Sequence, residues 1–186
     1  MKFFKGDNSN DPNEFDGLEK RLTEDQVINM GSSSGGDTLT LAKVDELLDA
    51  VQGGADAIFC NKTMRRKINA LMRAAGQATE PVSDAFGRQI QSYAGVPIGV
   101  IEEDKDGNQI LPFTEKNPGG GTAASTSIYA VRFGVAEYVS GLQAGDMDVL
   151  DQGLSGTFYQ TFIEWICGLG VFHPKAAARL RGIKNA

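Results

Sequence analysis

A chain of 186 residues with 41% hydrophobic and 23% charged side chains has the make-up of an ordinary globular protein, long enough for one core or for a domain with a smaller subdomain. Its net charge of -6 argues against a grip by the whole surface on nucleic acid or on an anionic membrane. No apolar run approaches the roughly 18 residues of a membrane-spanning helix, so no membrane partner is expected.

Residues 5–13 are turn-formers, and the spacing of Phe15, Leu18 and Leu22 predicts a short amphipathic helix from Glu14 despite Gly17. The connector "GSSSGGDT" (31–38) leads into a helix from Thr40 to just before Gly53, with Leu41, Val44, Leu47, Leu48 and Val51 at helical spacing. "DAIFCN" (56–61) reads as a buried strand. Asn61 is placed to cap a second helix, in which Met64, Ile68, Leu71 and Ala75 share a face up to Gly76.

Residues 77–87 read as loop, and 88–113 as two strands with a turn at Asp106-Gly107. "NPGGGTAAST" (117–126), with Gly119, Gly120 and Gly121, reads as a surface loop before the strand "SIYAVRFG". From 157 to 172, Tyr159, Ile163, Trp165, Cys167, Leu169 and Val171 alternate on one face, which predicts a strand with these side chains in the core. At about 3.3 Å per residue such a strand would span about 50 Å, so Gly168 and Gly170 are expected to mark a bend. Pro174 follows His173, and "KAAARL" reads either as a helix or as a final extended segment.

Reactive chemistry finds little to build on. His173 is the only histidine, so any nucleophilic pair must use it, and spacing identifies no companion. One histidine and two distant cysteines do not make a zinc site, and Cys60 and Cys167 read as buried free thiols of a reducing cytosol, with no secretory leader ahead of them. "DKDGNQILPFTE" (104–115) begins and ends like a calcium loop, but Gln109 stands where the sharp-turn glycine belongs. Neither glycine-rich segment carries a phosphate-loop lysine. No metal or cofactor is expected. Lys62, Arg65, Arg66, Lys67 and Arg73 make the second helix basic, fit for phosphate, for an acidic neighbouring subunit or for plain solvation.

In chain order, "FFKGDNSNDPNEFDGL", "DAIFCNKTMRRKINAL", "YAGVPIGVIE", "TSIYAVRFG" and "WICGLGVFHPKAAARLRG" together resemble a tailed-bacteriophage major capsid protein of the Hong Kong 97-like fold, which encapsulins share. Gly6, Asp7, Gly17 and Leu18 match the family's entrance to its axial domain, and Gly95 and Pro97 its Gly-x-Pro strand. The resemblance implies an α+β fold, a mixed sheet with flanking helices: an entry segment in 1–36, an axial-like domain in 37–155 and a strand and tail in 156–186 returning to a peripheral-like part. It implies a structural virion protein without enzyme activity, made in the bacterial cytoplasm, with partners that are copies of itself in pentamers or hexamers, or intact coat subunits if the chain is a prophage product. Nucleic acid would be an indirect partner, as packaged genome.

On this resemblance the family's N-terminal arm, extended loop and spine helix have no counterpart in the sequence. Trp165, Gly168, Gly170, His173 and Pro174 would form a structural joint. Lys62, Arg65, Arg66, Arg73 and Gly119–Gly121 would lie at subunit contacts, and loops such as 76–88 and 117–126 would carry the association around five- or six-fold positions. Two readings from other classes stand beside it: a small enzyme using His173 or a glycine-rich loop, and a nucleic-acid-binding module using 62–73.

Overall fold

The computed structural model describes residues 2–31, 36–77, 81–83, 87–116 and 124–185. Its centre is a seven-stranded mixed sheet in the order β1 (Val27–Asn29), β11 (Ala177–Lys184), β6 (Ser125–Val131), β2 (Ala57–Asn61), β5 (Val96–Ile101), β4 (Gln89–Tyr93), β3 (Pro81–Ser83). β1 with β11 and β2 with β5 are parallel, and the other neighbours are antiparallel.

Both faces of the sheet are covered, which is why β6 is buried at all seven positions rather than at alternate ones. Ile58, Cys60, Ile128, Ala130, Ala178 and Leu180 point toward α3 (Leu41–Asp49) and α4 (Lys62–Ala74). Tyr129, Val131 and Ala177 point the other way, onto Phe4 of α1 (Lys2–Lys5), Leu18 of α2 (Leu18–Arg21) and Leu169. The expected helix from Glu14 is shortened to the single turn of α2. Gly17 allows its backbone N–H to reach the Gly6 carbonyl at 2.9 Å, and a Cβ at Gly17 would meet three backbone atoms at 2.7 Å. Close approach of the two chain segments, rather than helix propensity, shapes this lobe.

The two long helices begin as the sequence predicts. Thr40 Oγ1 accepts from the Lys43 N–H, and Asn61 Oδ1 accepts from the Met64 N–H at 2.9 Å. Asn61 does more than cap, since its Nδ2 donates to the Leu111 carbonyl at 3.0 Å and to Thr126 Oγ1 at 3.3 Å. Strands β4 and β5 join at Ala94-Gly95, both at positive φ, as a tight hairpin requires. Around Gly107, the Asp104 carboxylate accepts the Asp106 and Asn108 N–H groups, and Asn108 foremost holds it below the ordinary carboxylate range. The calcium-like stretch is thereby a closed turn.

Three expectations are corrected, and one open alternative is decided. Residues 81–83 form β3 within the expected loop, because Val82 pairs with Ile90. Of the two readings of "KAAARL", the extended one holds, since the stretch enters β11, between β1 and β6. The 157–172 strand is interrupted at Trp165-Ile166, not at the glycines: β9 (Phe158–Glu164) pairs with β8 (Asp148–Ser155), whereas β10 (Cys167–Val171) pairs with β7 (Val139–Gln143). Gly168 and Gly170 lie in regular register opposite Leu142 and Ser140. Most of the alternating face is also not core, since among its six side chains Leu169 alone is fully buried.

Asn61→Asp keeps the cap acceptor but sets a carboxylate oxygen against the Leu111 carbonyl, so it should cost about 2 kcal/mol or more, read as a lower denaturant midpoint. Thr40→Ala, which removes a cap alone, should cost about 1 kcal/mol.

Candidate interaction surface

The most unusual surface is the ribbon that β8 and β9 form outside the main sheet. Strands β7 and β10 close its base, where the Ala144 N–H donates to the Ile166 carbonyl at 3.0 Å. Register places Val149, Leu154, Tyr159 and Ile163 on one face, and Leu150, Phe158 and Phe162 on the other, with Trp165 just past the end of β9. All eight are exposed, Leu154 at 76% and Phe158 at 74%. An isolated two-stranded ribbon is marginal in water, and contiguous exposed apolar surface marks an interaction site.

At the ribbon's base lies an open apolar groove of about 580 Å³. Phe3 and Phe15 form one wall, and Leu142, Trp165, Cys167 and Leu169 the other. Lys2 is its one charged lining residue, paired with Glu14 and still half exposed. The groove keeps its shape because the lobe behind it is pinned by a buried ion cluster. The Arg179 guanidinium meets Glu19 at 2.9 Å and Glu115 at 3.1 Å and lies over the Tyr129 ring, while Lys5 stands 3.4 Å from Glu115. Burial pushes the Tyr129 phenol far up, so it stays neutral beside these charges.

The proposed joint residues fall at different places. Trp165 is 54% exposed rather than core, because the ribbon leaves the sheet there and no second layer covers it. Gly168 and Gly170 are in β10, and Gly170 is packed so closely that a Cβ would meet the Phe172 ring at 2.7 Å. His173 sits in the turn between β10 and β11, where its Nδ1 accepts the Lys175 N–H at 3.0 Å and its carbonyl accepts the Ala176 N–H. Pro174 is exposed in the same turn. The histidine therefore shapes a turn, and the Tyr138 ring is its aromatic neighbour.

The basic helix is divided. Lys62 pairs with Glu102 at 3.1 Å, and Lys67, its ammonium pKa lowered by burial, donates to the Lys184 carbonyl. Arg65 is half-buried, leaving Arg66 and Arg73, seven residues apart, as the exposed arginines of α4. Gly119, Gly120 and Gly121 lie outside the described residues. Among the described residues no group of three or more His, Cys, Asp or Glu could hold a metal, and no helix is long and apolar enough to cross a membrane.

The two cysteines differ. Cys60 is buried, and desolvation pushes its thiol up to about 12. Cys167 is exposed in the groove, contrary to the expectation of two buried thiols, because β10 is an outer strand paired on one side to β7. In the native protein a water-soluble thiol reagent should modify one cysteine, Cys167, and reach Cys60 after denaturation alone. Reaction of both at equal rates would contradict the burial.

Among known proteins, no family profile and no curated protein matches the chain. Solved structures do. One is the holo-SrpI encapsulin complex from Synechococcus elongatus PCC 7942, at 17% identity and a TM-score of 0.67 over 91% of this chain and 57% of that one. The capsid of an empty GTA particle aligns at 16% identity and a TM-score of 0.49, over 98% of this chain and 60% of that one. The chain thus spans less than two thirds of either neighbour's length. The likeness to the encapsulin establishes the fold as Hong Kong 97-like, an α+β mixed sheet with flanking helices.

Proposed function

We propose that this chain is a structural subunit that associates with copies of itself into capsomers of a closed protein shell. The observation that carries the reading is the exposed apolar ribbon standing on a fold shared with an encapsulin shell protein. Shell subunits need two unlike, complementary surfaces, because a head-to-tail contact repeated around an axis closes a ring of five or six copies. The finer form of the proposal is a major capsid protein of a tailed phage or of a prophage, made in the bacterial cytoplasm and carried in the virion. In that form 37–155 is the axial-like part, 1–36 the segment entering it, and 156–186 the strand and tail that return to a peripheral-like part.

The same reading assigns Arg66 and Arg73 of α4, with Lys62 and Arg65 beside them, to contacts between neighbouring axial parts. Nucleic acid would enter as packaged contents rather than as a ligand of the chain. Intact coat subunits would be the second kind of partner if the chain is a prophage product.

Sedimentation velocity over a concentration series, with negative-stain imaging of the fast fraction, should show pentamers, hexamers or larger closed particles. A strict monomer at the highest concentration would overturn self-association. Trp165, the only tryptophan and exposed in the isolated chain, should shift its emission to the blue over the same series. A spectrum independent of concentration in an associating sample would place the contact elsewhere.

A further inference from the structure

The ribbon's tip and the groove at its base are two halves of one contact, and the geometry keeps them apart within a single molecule. Leu154, Phe158 and Tyr159 sit beside the turn at Gly156, whereas Trp165 and Cys167 line the groove at the other end of β9. Tyr159 and Trp165 are six residue steps apart along extended chain, roughly 20 Å. The β8–β9 pairing holds the ribbon along that length, so the tip of a chain does not reach its own groove.

Charge narrows the occupant. Residues 144–166 carry Asp146, Asp148, Asp151 and Glu164 and no Lys, Arg or His. Two such ribbons laid against each other would bring like charges together, with Asp151 in the middle of the more apolar face. Of these acids Asp148 and Glu164 pair at the ribbon's base and Asp151 alone lies toward the tip. The groove offers apolar walls and one charged lining residue, Lys2, which is paired with Glu14 and has further donors.

We propose, resting on the shell reading above, that the tip of the ribbon of one copy, Leu154 and Phe158 foremost, seats in the Phe3–Phe15–Leu142–Trp165 groove of the next copy. The contact joins unlike surfaces, so each copy offers one tip and one groove and the chain of contacts continues until a ring closes.

The groove supplies its own reporter, the exposed thiol of Cys167. Leu154→Cys in the full chain, under mild oxidation, should give a ladder on a non-reducing gel that extends beyond the dimer, each disulfide forming from two thiols that pass two electrons to the oxidant. The wild-type chain, with one accessible thiol, should stop at the dimer. Leu154→Cys combined with Cys167→Ser should lose the ladder. Phe158→Cys repeats the test at a neighbouring position, since a disulfide forms only when the two Cα atoms come within about 7 Å. Both positions are exposed, so folding is not at stake.

Dimers that persist without Cys167 would show tip against tip and overturn the proposal. So would the absence of any ladder from both variants in samples that sedimentation shows to be associated, an outcome that leaves the shell reading standing. Monomers throughout would overturn both.

Discussion

The placement of β11 between β1 and β6 is the constraint on which the rest of the molecule depends. A strand from the chain's last residues fills the second position of the sheet and hydrogen-bonds on both sides. Its outward face carries Arg179, which gathers Glu19 and Glu115 under the N-terminal lobe. A charge pair this deep offers little net stability against its desolvation, yet removing one member strands the others. The cluster ties β11 to the N-terminal lobe through Glu19 and to the segment before β6 through Glu115.

From that anchor the interaction surface follows. β10 must run up to the His173 turn to deliver β11, and its pairing with β7 brings 144 and 166 together. Everything between them is forced outward as a ribbon that neither the helices nor the sheet can cover. The N-terminal lobe, held by Arg179, forms the far wall of the groove at the ribbon's base. One buried cluster thus fixes both the arm and the site beside it.

Much of this order is legible in the sequence. The caps at Thr40 and Asn61, the helices after them, β2, the β4–β5 pair and β6 are local features, written in periodicity and cap chemistry, and the fold class follows the order of the pieces. The parts not legible are those set by distant residues. "KAAARL" has good helix formers and is a strand because a slot between β1 and β6 outweighs propensity. The alternation of Tyr159, Ile163 and Trp165 is real, but alternation reports a pleated strand and not which side is covered. Gly153 at the bulge of β8 and Gly156 in the turn, with four acids and no base nearby, were the available signs that this stretch folds back into an exposed hairpin.

The central claim is that the ribbon becomes buried when copies associate. Hydrogen–deuterium exchange, compared between dilute and associated protein, addresses it residue by residue, because a two-stranded ribbon alone protects its amides weakly. The account predicts that amides of Asp148–Ser155 and Phe158–Glu164 slow markedly on association, together with those around Phe3 and Phe15, while β6 and β11 change little. Protection confined to α4 or to other surfaces, with the ribbon exchanging as fast in the assembly as in the monomer, would contradict it.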